Sequence, residues 1–283
     1  MRALLRATQF RLLVVVLVTL TVMVTGSAKE STQELTQVEK EKRQAEEEKK
    51  WPKDTKSYAR LIDFSGRKWS VKAQDKLCGP GPNYFSDRAE DVWADDEGLH
   101  LTISKRDENW YCTEVILQES FGYGNYIFQT STEPDSMDAN VIAGMFTWEA
   151  GMPWPNRELD FEFARWSNPK DSTNAQFAVQ PFTTSGNMVR YRVAPDENDS
   201  HLTQVMTWRQ DEVRFRTARG RFDSPHIPPE AVIIDWTYSG DGVPEPGQEN
   251  VRVNLWLDNG APPASEKPIE LVVKQFLFVP IEK

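Results

Sequence analysis

The stretch Arg157-Glu158-Leu159-Asp160-Phe161-Glu162-Phe163 alternates carboxylate and apolar side chains. In a β-strand, successive side chains point to opposite faces, so the three acids would share one face and the three apolar side chains the other. The apolar face suits a protein core. The acidic face is electrostatically costly, because like charges repel and each disfavours ionisation of its neighbour. The pattern predicts a half-buried strand whose acids have a function that offsets this electrostatic cost.

Glycosidic bond hydrolysis offers such a function. A retaining enzyme needs an ionised carboxylate as nucleophile and a second carboxyl group, protonated at first, as acid and base, about 5 Å apart. At about 3.3 Å rise per residue, the outer Cα atoms lie about 13 Å apart, a gap that two glutamate side chains can largely close. Glu158 and Glu162 are therefore candidate catalytic residues, and Asp160 can tune both. The alternative interpretation is a strand with a solvated acidic face and no chemical role.

After residue 57, short apolar and aromatic runs alternate with turn signals. Leu99, Leu101 and Ile103 alternate with polar residues, which is typical of a strand. Clusters such as Ser239-Gly240-Asp241-Gly242 mark turns, and helical periodicity is scarce. We predict one all-β domain over residues 58–283, a two-sheet antiparallel β-sandwich of the jelly-roll type.

The N-terminal part of the chain has a different composition. Residues 1–28 contain three arginines, an apolar run over residues 12–24 and the small-residue ending Gly26-Ser27-Ala28. As a helix the apolar run is about 20 Å long, short of a roughly 30 Å hydrocarbon core. This pattern predicts a signal peptide and a secreted, periplasmic or cell-surface protein, with a membrane contact only if the segment stays uncleaved. Residues 29–57 are predicted to form a charged stalk or linker.

Charge and histidine spacing narrow the function classes. The chain has 43 acidic and 33 basic residues, for a formal net charge of −10, which argues against nucleic acid and anionic membrane as partners. The three histidines, His100, His201 and His226, are scattered. We therefore predict no metal site and no cofactor, and expect a monomer.

The strand ELDFEF resembles the catalytic strand of glycoside hydrolase family 16, in the form found in lichenases and xyloglucan-active enzymes. Further segments resemble that family in the same order, at residues 121–126, 144–148, 207–215 and 254–256. The resemblance implies a concanavalin A-like jelly roll with a concave substrate cleft and a secreted, retaining, endo-acting β-glycanase acting on a polysaccharide. Glu158 would be the nucleophile, Asp160 the assisting acid and Glu162 the general acid/base. A transglycosylase and a non-catalytic carbohydrate-binding module are the alternatives.

The resemblance also implies binding residues. Glu114 matches a substrate-binding glutamate, while Asn254 and Trp256 fall on the family's NLW segment. Aromatic faces are common platforms for sugar rings. We accordingly place four tryptophans at the cleft, namely Trp148, Trp154, Trp166 and Trp256. Four others are expected in the core, namely Trp69, Trp93, Trp208 and Trp236.

The two cysteines, Cys78 and Cys112, are expected to form a disulfide. An exported chain permits such a bond, and some lichenases carry one that links an early loop to the strand matched by Cys112. The alternative is a pair of buried thiols.

Several positions depart from the lichenase pattern. Ile116 stands where the family has arginine, and Ala178 and Gln180 stand where it has asparagine and tyrosine. No aspartate in residues 274–278 matches the family's calcium ligand, so calcium should not be needed. These departures predict a shifted glycan specificity. Four arginines near the acids would suit an anionic glycan or would simply neutralise the acids, namely Arg157, Arg165, Arg190 and Arg192.

Overall fold

The computed structural model describes residues 60–281, and strands dominate that part of the chain. The predicted signal peptide and charged stalk lie outside the described residues. The strands are β1 Leu61–Phe64, β2 Arg67–Val71, β3 Gln74–Cys78, β4 Asn83–Phe85, β5 Val92–Asp95, β6 Gly98–Arg106, β7 Asn109–Leu117, β8 Gly124–Thr130, β9 Val141–Trp148, β10 Leu159–Phe163, β11 Ala175–Val179, β12 Met188–Tyr191, β13 Leu202–Trp208, β14 Val213–Arg219, β15 Val232–Tyr238, β16 Asn250–Leu257 and β17 Ile269–Val279. Short 3₁₀ turns cover Pro134–Ser136, Pro229–Ala231 and Asp258–Gly260.

Two antiparallel layers account for most of these strands. The first sheet has the order β1-β2-β7-β16-β9-β10-β11-β12. The second sheet has the order β5-β6-β17-β8-β13-β14-β15. The β6–β7 hairpin connects them, and β4 runs parallel to the first half of β7. The predicted all-β sandwich of the jelly-roll type is confirmed.

The core lies between the two sheets and receives the apolar side of β10. Leu159, Phe161 and Phe163 are all buried. Phe161 packs edge-on against Phe128 of β8 and Phe215 of β14, with ring centroids 6.1 and 5.4 Å apart. Burial of each such side chain stabilises the fold by about 1.5–3 kcal/mol. The alternation of the sequence therefore fixes which face of β10 is left for the acids.

The tryptophans predicted for the core divide into two groups. Trp69 and Trp208 are fully buried, and Trp236 packs against the core beside Phe215. The prediction is wrong for Trp93, which is half-buried and stacks on His100 with ring centroids 4.6 Å apart. Its indole N–H donates to the exposed carboxylate of Asp95. This polar partner at the surface lets the Trp93 ring lie outside the core.

Cys78 and Cys112 are both buried thiols, and no disulfide joins them. Cys78 ends β3 opposite Asn83, and Cys112 lies beside Phe85 at the other end of β4. Burial, together with the nearby Cys78, raises the pKa of Cys112, so its neutral thiol is favoured. The expected disulfide is therefore corrected to a pair of core thiols packed against β4.

Two further findings concern the described part of the chain. Between residues 60 and 281, no helix is long and apolar enough to cross a membrane. Over the same range, no group of three or more His, Cys, Asp or Glu side chains is arranged to hold a metal ion.

Candidate active site

The three acids lie on the face of the first sheet that points away from the core, here called the acidic face. Asp160 and Glu162 alternate with the buried residues of β10, and Glu158 immediately precedes the strand. The backbone of Glu158 is fixed, since its N–H donates to Pro155 O (3.0 Å) and its carbonyl accepts from Gln180 N (3.1 Å). Asp160 is 4% exposed, whereas both glutamates are half-buried. The two outer acids are thus the accessible ones.

Two glutamines of the neighbouring chain segment hold the acids. Gln176 of β11 is directly opposite Glu162, and its Nε2 donates to Glu162 Oε2 at 2.6 Å. Gln180 Nε2 donates to Asp160 Oδ2 at 2.9 Å. An N–H donor offsets part of the repulsion between adjacent carboxylates. The sequence alone did not identify these partners. The one signal was that Gln176 and Gln180 lie an even number of residues apart, so that both side chains would point to the same face of one strand.

The other neighbour of the acids is β9, which lies between β10 and β16. Glu162 is opposite Gly144, and Gly144 is opposite Asn254 of β16. Gly144 N donates to Asn254 Oδ1 at 3.1 Å, and a Cβ at Gly144 would lie 2.5 Å from that oxygen. A larger residue here would displace the Asn254 amide from this hydrogen bond. Glycine thus lets the amide of Asn254 lie over β9, in the same cross-strand row as Glu162.

Two of the predicted aromatic residues gather at the Glu162 end of the acidic face. Trp166 and Trp256 are half-buried and pack edge to face, with ring centroids 6.0 Å apart. Trp166 Nε1 donates to Gln176 Oε1 at 2.8 Å, which links it to Glu162 through one glutamine. Half-buried rings beside a carboxylate are suitable platforms for a sugar.

The other two predicted aromatic residues are placed differently. Trp148 ends β9 on the acidic face but is 5% exposed, with the guanidinium of Arg252 5.9 Å from its ring centroid. Trp154 lies in the loop before Glu158, and its buried indole N–H has no hydrogen-bond partner among residues 60–281. Trp148 is therefore largely covered in this structure, and its contact with a sugar stays a prediction.

Glu114 is also on the acidic face, but it does not have the exposed place expected of a sugar-binding residue. It is 1% exposed, and its two carboxylate oxygens accept from Lys72 Nζ (3.0 Å) and Arg252 (2.9 Å). Burial disfavours the charged form of Glu114, but Lys72 and Arg252 outweigh it and lower the pKa of this carboxyl group. Glu114 is therefore the anion of a buried ion cluster that joins β7 to β16 and to the end of β2.

Arg252, one of the two cations of that cluster, bears on one departure from the lichenase pattern. Arg252 of β16 is the cross-strand neighbour of Ile116, the position at which the family has arginine. An arginine is thus present on the adjacent strand instead. Arg252 is 2% exposed and bound to Glu114, so in this structure its charge links β16 to β7.

The four arginines considered for an anionic glycan are all bound to carboxylates of the protein. Arg157 pairs with Glu149 (2.5 Å) and Arg190 with Asp171 (3.0 Å). Arg165 and Arg192 both pair with Asp135. Each of the four guanidinium groups thus has a carboxylate partner in the loops around the acids. Their role in binding an anionic glycan or in neutralising the acids stays a prediction.

Comparison with solved structures gives a consistent fold. The chain superposes on a beta-glucanase from Bacillus licheniformis with a TM-score of 0.56 and 18% identity, over 80% of this chain and 99% of that one. A beta-1,3-1,4-glucanase (lichenase) from a mouse hindgut metagenome gives 0.55 and 18%, over 80% and 96%. A glycoside hydrolase family 16 endo-glucanase from Bacteroides ovatus, in complex with G4G3G-2F-DNP, gives 0.56 and 11%, over 75% and 94%. No protein-family model and no curated protein matches the sequence.

These likenesses define the class of fold. The chain has the jelly-roll fold of glycoside hydrolase family 16, and the resemblance of its segments to that family is confirmed at this level. Architecture alone does not decide activity, because one fold can carry several functions.

Proposed function

We propose that this protein is a secreted, retaining, endo-acting β-glycanase whose site is the acidic face of the first sheet. The observation that carries the proposal is the placement of the acids: Glu158 and Glu162 are half-buried on one face, with the enclosed Asp160 between them. Retaining hydrolysis requires two carboxyl groups about 5 Å apart on the same substrate. The solved neighbours that are glucanases support the same class of reaction.

In the proposed mechanism, Glu158 attacks the anomeric carbon while Glu162 donates its proton to the departing glycosidic oxygen. The leaving sugar takes that proton, and a covalent glycosyl-enzyme ester remains on Glu158. Glu162, now a carboxylate, then removes a proton from water, which attacks the anomeric carbon and releases Glu158. Two displacements restore the original configuration. Asp160 supports both steps by its charge and by its hydrogen bond from Gln180.

The polysaccharide that we propose as substrate differs from lichenan in how it is recognised. Ala178 is directly opposite Asp160, and Met188 of β12 is opposite Ala178. An apolar strip of Ala178 and Met188 therefore lies next to the central acid. Ala178 stands where lichenases offer asparagine, and Gln180 stands where they offer tyrosine. Sugar hydroxyl groups gain no hydrogen bonds from such a strip. A glycan with an apolar face over β11 and β12 fits it better than a fully hydroxylated one.

Export of the enzyme is proposed from residues 1–28, whose pattern is that of a signal peptide. A polysaccharide substrate is consistent with a site outside the cytoplasm.

A reducing-sugar assay over laminarin, lichenan, xyloglucan, agarose and carrageenan tests the proposal. We expect new reducing ends on at least one glycan and none with the Glu158→Gln protein, which keeps the shape of the side chain but removes the nucleophile. Binding of a glycan without cleavage by the wild-type protein would instead favour a non-catalytic carbohydrate-binding module.

A further inference from the structure

Glu162, Gln176 and Trp166 form a hydrogen-bonded relay. Trp166 Nε1 donates to Gln176 Oε1 (2.8 Å), and Gln176 Nε2 donates to Glu162 Oε2 (2.6 Å). The two ends of a glutamine amide have nearly the same shape, so its orientation depends on its partners. An indole N–H can only donate. Trp166 therefore requires the amide oxygen on its side, which leaves the NH₂ group facing Glu162.

Trp166 is held in an uncommon backbone conformation. Its φ is +50°, and that of Ser167 is +57°, in the left-handed region that bulky residues rarely adopt. Such residues persist only where their surroundings fix them. Here Ser167 N donates to Ala139 O (2.8 Å), its hydroxyl donates to Asp258 (2.8 Å), and the indole packs on Trp256. The contacts of the loop after β10 thus fix the direction in which the indole N–H points.

We propose that Trp166 is a positioning residue for Glu162, acting through the orientation of the Gln176 amide. With the indole in place, Glu162 always faces an N–H donor, which favours its carboxylate form. Without it, the amide can turn and present its oxygen, which is favourable only to a protonated Glu162. If Glu162 is the acid/base of the proposed function, the relay would also set the pH above which Glu162 has lost its proton.

Charged side chains are also present on the strands that neighbour Glu162. β10 contributes Asp160 and Glu158, and β9 contributes no charge opposite Glu162, since Gly144 lies there. On β16, Arg252 is bound to Glu114. On β12, Arg190 is opposite Gln176 and bound to Asp171. A Trp166→Phe substitution changes none of these groups, so its effect on Glu162 reports the relay.

Carboxyl carbon NMR on the full chain tests the proposal without any substrate. With ¹³C-labelled glutamate, and Glu162 assigned by loss of its signal in Glu162→Gln, the titration midpoint of Glu162 is compared between wild type and Trp166→Phe. We expect the midpoint to rise by about half a pH unit or more on loss of the indole donor. Trp93→Phe is the matched control, because it also loses one indole N–H bond to a side chain, on the second sheet. It should leave the midpoint unchanged.

An unchanged or lowered midpoint in Trp166→Phe, or an equal rise in Trp93→Phe, would overturn the relay. If Trp166→Phe does not fold, hydrogen exchange of the wild-type indole protons decides: that of Trp166 should exchange more slowly than that of Trp93, and equal rates would overturn the proposal. The reducing-sugar assay distinguishes failure of the relay from failure of the proposed glycanase activity. A raised titration midpoint of Glu162 in Trp166→Phe, without cleavage of any glycan by the wild type, would contradict the glycanase activity alone. Cleavage of a glycan with an unchanged midpoint would contradict the relay alone.

Discussion

At the scale of single residues, the three acids differ in what surrounds them. Asp160 is enclosed between Phe146 of β9 and Ala178 of β11 and receives its hydrogen bond from Gln180. Glu158 and Glu162 are half-buried and can reach a substrate. Three chemically similar side chains at alternate positions thus have different surroundings, and the separate roles proposed for them predict different effects of substitution.

Asp160→Asn should lower kcat/KM without changing the stereochemical outcome. The new amide can still accept the hydrogen bond from Gln180 through its oxygen, but it removes the central charge. We expect a loss of about 10-fold to 100-fold, at or below the low end of the 10²–10⁴ that a full acid–base group supplies. Proton NMR of the first-formed anomer measures the outcome, and an inverted product would contradict the supporting role of Asp160.

Glu162→Ala should produce a loss that depends on the leaving group. Hydrolysis of a polysaccharide should fall by about 10²–10⁴, because the departing oxygen then leaves without a proton. Dinitrophenyl glycosides should lose far less, because their leaving group is already a stable anion. Parallel kinetics on the two substrate types measure this contrast. Equal losses on both would show that Glu162 is not the acid.

At the scale of structural elements, the first sheet depends on the buried ion cluster of Glu114, Lys72 and Arg252. Lys72 Nζ also donates to Gly79 O at 2.7 Å and lies 4.0 Å from the ring centroid of Phe85. Removal of one partner from a buried cluster leaves unpaired charge in the interior, which costs about 3–5 kcal/mol. The cluster thus secures the β2, β7 and β16 side of the acidic face.

Glu114→Ala should therefore lower the free energy of unfolding by about 3–5 kcal/mol, as measured by urea denaturation. Glu119→Ala is the matched control, because Glu119 is half-exposed and pairs with Arg67 at the surface. Loss of a surface pair should change stability by less than about 1 kcal/mol. A Glu114→Ala protein as stable as the control would mean that the cluster does not support the sheet.

Elements also show what the sequence can and cannot predict. The acidic strand was predictable because a period of two is local and needs no partner. The burial of Glu114 was not, because Arg252 is 138 residues away and only the register of β7 with β16 brings them together. The position of Trp93 outside the core could not be predicted either, because it also depends on strand pairing. Its aromatic character favours burial, but the strand pairing that gives it His100 as a stacking partner cannot be read from composition.

The glutamine partners of the acids show the same limit. Gln176 and Gln180 have the right alternation to share the acidic face, but eleven residues separate β10 from β11. A connection of that length does not set the register of two strands, unlike a two-residue hairpin turn. The sequence therefore predicted the face on which the three acids lie, but not the glutamine donors that bind two of them.

At the scale of the whole molecule, buried carboxylates link stability to pH. Asp91 lies beside the second sheet; burial disfavours its ionisation, but hydrogen bonds from Ser104, Ser86 and Arg106 outweigh burial and lower its pKa. The pKa of Glu114 is lowered as well. A carboxyl group whose pKa is lower in the folded state stabilises the fold above its unfolded pKa of about 4, and this contribution is lost as the pH falls.

The free energy of unfolding should accordingly decrease as the pH falls from about 5 towards 3. Asp91→Asn should reduce stability at neutral pH and make that decrease shallower, because one carboxyl group no longer binds a proton on unfolding. Asp63→Asn, which removes a carboxylate from an exposed surface pair of β1, is the control variant. Urea denaturation at several pH values measures both. An Asp91→Asn slope as steep as that of the wild type would contradict the assignment.

The central claim is that Glu158 is the nucleophile of a retaining glycanase, and azide rescue of Glu158→Ala tests it most directly. With an activated aryl glycoside, the variant should be inactive alone, because no carboxylate reaches the anomeric carbon. Added azide should enter the vacated space and attack from that face, giving a glycosyl azide of inverted configuration while Glu162 remains in place. The anomeric proton of the product, followed by NMR, distinguishes the outcomes. Hydrolysis by Glu158→Ala at the wild-type rate without azide, and with retained configuration, would contradict the account.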